Sequence, residues 1–133
     1  MKIWLSYVSY PVTTAVYFER ALRKEHEVIT VGPSISDHII KEWNLENMKL
    51  EVVHHNISTD ASPDFLDLFN RQTENKKPEF LLWVESVGGF QPRNIEKLPI
   101  PKACYLIDCH INLKMHLEIS KVYDHVFIAQ REY

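Results

Sequence analysis

Short apolar runs alternate with helical patterns along the whole chain, and that alternation leaves few folds open to it. The first run, residues 2–8 (Lys-Ile-Trp-Leu-Ser-Tyr-Val), is rich in β-formers. Pro11 then keeps Tyr10 out of the helical region and suits the first turn of a helix. Over residues 12–24, Ala15, Phe18, Ala21 and Leu22 fall on one helical face. Arg20, Arg23 and Lys24 collect near the end of that helix, where positive charge opposes the helix dipole. A second strand-like run, residues 27–31, stops at Gly32-Pro33. The result is a β-α-β opening.

The pattern continues to the end. Ser36-Asp37 is positioned to cap a short helix through Trp43, and residues 50–54 read as a third strand. Ser62-Pro63 reads as an N-cap with proline at the first helical position. Phe65, Leu68 and Phe69 would give that helix its apolar face as far as Asn75. Residues 80–84 form a fourth strand, and residues 88–102 an irregular link with three prolines. Residues 103–107 are a fifth strand, 113–120 a short helix and 125–129 a sixth strand. Strands that are apolar on both faces and separated by helices imply a parallel sheet covered on both sides. The expected architecture is a Rossmann-like, doubly wound α/β domain. It has about six strands in a mainly parallel sheet, as a single domain over residues 1–133.

Composition narrows what such a domain does. The chain has only 3 glycines, Gly32, Gly88 and Gly89, so neither a G-x-G-x-x-G fingerprint nor a P-loop can be assembled. A net charge of -3 gives no electrostatic footprint for nucleic acid. The opening residues lack the long apolar stretch and small-residue cleavage site of a signal peptide, and no run is long enough for a membrane span. Cys104 and Cys109 lie too far apart along an extended strand to bridge. These observations predict a cytoplasmic protein with free thiols.

Ligands of doubly wound sheets bind beyond the carboxyl ends of the strands, where strand order reverses. The residues at those exits are Ser9 and Tyr10; His54, His55 and Asn56; Glu85 and Ser86, with Gly88-Gly89 beyond; Asp108, Cys109 and His110; and Gln130. Each one alone is also what helix capping and solvent exposure would place there; as a cluster they point to a polar ligand. Asp108 and His110 stand out, because a carboxylate near an imidazole can orient it and raise its basicity, as a general base requires. Adjacent His54 and His55 would face opposite sides of a strand. His110 and His116, with Asp108 and Cys109, lack a recognised ligand spacing, so neither metal nor cofactor is expected.

Residues 103–110 (Ala-Cys-Tyr-Leu-Ile-Asp-Cys-His) and 123–130 (Tyr-Asp-His-Val-Phe-Ile-Ala-Gln) resemble the N-terminal half of bacterial group 1 glycosyltransferases of the spore-maturation-protein-like type. In that family a strand ending in Asp-x-His leads through a short helix to Asp-x-x-Phe-x-x-Gln. Asp108, His110, Asp124, Phe127 and Gln130 stand in those places. The resemblance implies a GT-B-like enzyme, in which two Rossmann-like domains face each other across a cleft. The N-terminal domain receives the acceptor and the C-terminal domain the nucleotide-sugar donor. It implies that Asp108 and His110 line the acceptor side of the cleft as catalytic residues, one of them as base; Ser9, Tyr10, Glu85, Ser86, Gly88, Gly89 and Gln130, read from their places at the strand exits, are then expected to face the acceptor.

The sequence ends at Tyr133, before any donor-binding half, so the chain alone is expected to be inactive. The expected partners are a sugar or other hydroxyl acceptor and, through a further domain, a nucleotide sugar. The competing reading is a non-catalytic binding or interaction module, homodimeric through the strand-end cleft or an exposed sheet edge. A signalling receiver domain would need paired carboxylates after the first strand, where Ser9-Tyr10-Pro11 stands instead.

Overall fold

The computed structural model describes residues 1–10, 13–48, 54–86, 90–111 and 113–129. Its strands are β1 (Lys2–Ser6), β2 (Glu27–Gly32), β3 (Ile57–Ser58), β4 (Phe80–Val84), β5 (Lys102–Leu106) and β6 (His125–Ile128). Its α-helices are α1 (Ala15–Leu22), α2 (Asp37–Glu42), α3 (Phe65–Asn70) and α4 (Leu113–Ser120). The six strands form one sheet in the order β3-β2-β1-β4-β5-β6, and each neighbouring pair is parallel. This is the expected Rossmann-like α/β fold.

Alternation along the strands builds two cores. Trp4, Leu81, Trp83, Cys104 and Leu106 point to one face, where Phe65 and Phe69 of α3 and Tyr123 after α4 meet them. Trp4 is fully buried and takes both phenylalanine rings edge-on, at centroid distances of 5.9 and 6.3 Å. Leu5, Val28, Leu82, Val84 and Ala103 point to the other face, against Ala15, Phe18 and Leu22 of α1. Connections that step toward β2 thus cross one face, and those that step toward β4 and β6 cross the other. Parallel strands joined by crossovers of one hand require this division.

Several expectations are refined. Ala21 is exposed, so the buried stripe of α1 is Ala15, Phe18 and Leu22. Ser36 does cap α2, accepting from the Ile39 amide. The cap of α3 is Asp64 rather than Ser62. The Asp64 carboxylate accepts from the Asp67 amide and its own backbone is extended, while the Pro63 carbonyl takes the Arg93 amide at 2.8 Å. The helix ends at Asn70, well short of residue 75, and a separate 3-10 turn covers Glu74–Lys76. Of the strand read at residues 50–54, positions 50–53 lie outside the described residues; the strand paired with β2 is Ile57–Ser58. Burial on both faces fails at β6, whose residues are all exposed.

Pairing between the first two strands continues past their ends. The Tyr7 amide donates to the Val31 carbonyl, the Ser9 amide to Pro33, and the Ile35 amide back to Ser9. Gly32 sits inside this extension. A Cβ there would lie 2.0 Å from the Tyr7 carbonyl oxygen and 3.2 Å from His55 Nε2. Gly32→Ala is expected to destabilise the protein by about 2–3 kcal/mol, measured by urea denaturation, because backbone rather than a flexible side chain must yield.

The His55 ring packs edge-on against Tyr7 at 4.6 Å, and its Nε2 faces the Pro33 carbonyl at 3.2 Å. Burial pushes the imidazole below its ordinary value, and the hydrogen bond to Pro33 offsets only part of that. The neutral ring therefore favours the fold. Its contribution is complete above the unfolded value near ~6.5 and is lost as pH falls through that value toward the folded one. Urea denaturation from pH 7.5 to pH 5 should show wild-type stability falling more steeply than that of His55→Gln. Parallel curves would show that the ring titrates freely.

Candidate functional site

Strand order reverses between β1 and β4, so the connections leaving their carboxyl ends diverge to opposite sides and leave a crevice. A cleft of about 400 Å³ lies there. Tyr10 and Thr14 line it from the β1–α1 connection, Glu85 and Ser86 from the exit of β4, and Asp108 from the exit of β5. His116 and Met115 of α4 close it, with Ile107 and Ile111 as its apolar patches.

Each polar group is held by a specific neighbour. The Ser86 hydroxyl accepts from the Val8 amide at 2.8 Å. This ties the β4 exit to the chain leaving β1. Glu85 accepts from the Ile107 amide at 2.6 Å through one carboxylate oxygen and from His116 at 2.5 Å through the other. An ionised carboxylate only accepts, so His116 Nε2 carries the proton. Both side chains of this pair are largely buried, and the other ring nitrogen of His116 has no hydrogen-bond partner among the described residues. Glu85 thus joins β4, β5 and α4 and forms the floor of the cleft.

Asp108 begins the turn that follows β5, and its carbonyl accepts from the Ile111 amide at 2.9 Å. Its φ of 52° is left-handed. Aspartate is among the few L-residues that tolerate this conformation, and such positions concentrate at functional sites. The Tyr10 phenol is pushed up, first by burial and then by the Asp108 carboxylate. At neutral pH it is therefore a hydrogen-bond donor facing a carboxylate.

The first turn offers little to a phosphate. The amides of Tyr7, Val8 and Ser9 are all engaged, by Val31, Ser86 and Pro33. No lysine or arginine stands among the described residues lining the cleft. Thiol chemistry is also disfavoured: burial and then the Glu85 carboxylate push Cys104 up to about 12 and raise Cys109 as well. No three His, Cys, Asp or Glu side chains among the described residues converge as metal ligands.

Of the residues singled out in the sequence, the structure brings Tyr10, Glu85, Ser86 and Asp108 together in one cleft. Ser9 is buried in the extended β1–β2 pairing, outside the lining. His110 is exposed on the Asp108 turn and also stands outside the lining. Gly88, Gly89 and Gln130 lie outside the described residues. Thr14 and the Glu85–His116 pairing were not anticipated. The available signal was a histidine in the buried stripe of α4, which needs a polar partner; nothing in the spacing names a carboxylate 31 residues away. Comparison with protein-family models gave no match to this chain, and comparisons with curated proteins and with solved structures gave none either. No helix among the described residues is long and apolar enough to cross a membrane.

Glu85→Ala would strand both the Ile107 amide and His116 Nε2. A loss of about 2–4 kcal/mol in urea denaturation is expected. A double-mutant cycle with His116→Leu should give a coupling of about 1 kcal/mol or more, and additive effects would show the pair to be energetically idle.

Proposed function

We propose that this chain is the acceptor-side domain of a glycosyltransferase. In this reading the cleft holds a neutral, hydroxyl-rich acceptor such as a saccharide. A second domain presents the nucleotide-sugar donor. The observation that carries the reading is the cleft itself: it lies at the order reversal of a Rossmann-like sheet and its polar lining is carboxylates, hydroxyls and one imidazole, with no lysine or arginine among the described lining. Such a lining suits sugar hydroxyls, which donate to carboxylates and accept from a phenol or an alcohol. It disfavours phosphates, which repel carboxylates and seek cations or free amides. The match of Asp108, His110, Asp124, Phe127 and Gln130 to the motif described above is the second support.

The chemistry follows from these positions. The attacking acceptor hydroxyl gives its proton to the Asp108 carboxylate as its oxygen bonds to the anomeric carbon. The bond from that carbon to the donor phosphate breaks, and the nucleoside diphosphate leaves with the electron pair. His110, exposed two residues further along the same turn, is the second candidate for the proton. Tyr10 orients the acceptor as a donor. Glu85, with both oxygens engaged, is a positioning residue that fixes the β5 exit and α4.

An amide-resolved NMR titration of the chain with neutral monosaccharides and disaccharides, and separately with nucleotide sugars, tests this. Saccharides should shift Ser86 and residues 107–111, and Asp108→Ala should weaken that binding about tenfold or more without unfolding. In a protein carrying both domains, Asp108→Ala or His110→Ala should lower turnover about 100-fold or more. The reading fails if no saccharide perturbs the cleft, or if nucleotide sugars bind there instead.

A further inference from the structure

The two edges of the sheet are finished differently. At one edge, β3 is only 2 residues long, and brevity is a standard protection against unwanted strand pairing. At the other edge, β6 is His-Val-Phe-Ile, with no lysine, proline or bulge to blunt it, and no strand pairs with its outer side among the described residues. Val126, Phe127 and Ile128 are 40, 55 and 55% exposed. The helix leading into β6 adds exposed Leu113 and Leu117, one turn apart. On the face covered by α1, an open groove of about 320 Å³ runs to this edge, lined entirely by Phe18, Phe80, Leu82, Ala103, Tyr105 and Phe127.

We propose that β6 is the surface through which two copies of this chain associate, pairing antiparallel about a two-fold axis through Phe127. A second copy fits for three reasons. The edge is self-complementary: a two-fold axis normal to the sheet matches each free backbone donor with the same strand's acceptor on the partner. The segment from Val126 to Ile128 carries no charge, so juxtaposing it with itself opposes no like charges. Leu113, Leu117, Val126, Phe127 and Ile128 together expose on the order of 500 Å², large for one apolar patch on a monomer and more than half of the ~800 Å² per partner of a standard interface.

The register follows from the pleat. Residues directly opposite each other in an antiparallel pair point to the same face, so a two-fold axis must pass through a residue rather than between two. Phe127 lies opposite Tyr105 in the β5 pairing and shares its groove. With the axis there, Phe127 meets the partner's Phe127 and the two grooves join on one face. On the other face Val126 meets the partner's Ile128. An axis through Val126 would instead set His125 against the partner's Phe127 and leave Ile128 overhanging.

Light scattering and sedimentation equilibrium of the chain at micromolar concentration should give twice 15.7 kDa. Phe127→Lys should raise the dimer dissociation constant about 100-fold or more while leaving the circular dichroism unchanged. Under mild oxidation Phe127→Cys should form a disulfide-linked dimer faster than Tyr17→Cys, whose site on α1 is 68% exposed. If Phe127→Lys does not fold, the crosslinking comparison decides alone. A 15.7 kDa mass throughout the range overturns the proposal. So does a dimer that Phe127→Lys leaves intact, or crosslinking of Phe127→Cys no faster than the control.

Discussion

Burying β1 on both faces and along both edges is the constraint from which the rest of the structure follows. Trp4 and Leu5 are fully buried on opposite sides of the same strand. Each needs its own core, so helices must lie on both faces. The backbone groups of β1 must also be paired, and β2 and β4 supply those bonds as parallel neighbours. Parallel pairing demands a crossover to each side, and crossovers of one hand place them on opposite faces. The gap between the β1 and β4 exits is the geometric consequence. The cleft therefore arises from the same requirement that makes residues 3–5 apolar.

What the cleft can bind is then set by which backbone groups remain free. In a glycine-rich phosphate site the first turn turns its amides toward the ligand. Here those amides are taken up by pairing with the chain after β2 and by the Ser86 hydroxyl. The glycine at the tightest approach, Gly32, makes room for the Tyr7 carbonyl and not for a ligand. Scarcity of glycine and engagement of the amides are two views of one fact. Recognition in this cleft passes to side chains, and the polar ones are two carboxylates, two hydroxyls, one phenol and the His116 imidazole.

Five of the six strands and α4 were legible because continuous apolar runs bounded by prolines and charges have few alternatives; β3, read at residues 50–54, pairs instead at Ile57–Ser58. Residues 113–120 form the expected helix, and β4 has the expected bounds. Boundaries set by long-range bonds were not legible. The start of α3 depends on Pro63 meeting Arg93 and Asp64 meeting Asn94, across about 30 residues. For the same reason Glu85 could be placed at a strand exit but not paired with His116. Periodicity reports which face is apolar; it carries no information on how far a neighbouring helix extends. Hence the exposure of β6 could not be read from an apolar run that resembles its buried neighbours.

Helix α4 links the cleft to that uncovered edge. Its inner side supplies His116 to the Glu85 carboxylate and Met115 to the cleft wall, while Leu113 and Leu117 face outward. The segment is anchored by Ile119, Val122 and Tyr123, the last stacked on Trp83 at 5.9 Å. The hydrogen bond to the floor of the cleft is thus provided by a helix whose opposite side exposes two leucines to solvent. Its position is set on the inner side, where the buried Glu85–His116 hydrogen bond and the Tyr123–Trp83 stack coincide. A helix held in this way on its inner side leaves Leu113 and Leu117 free to face a partner without disturbing the contacts that build the cleft.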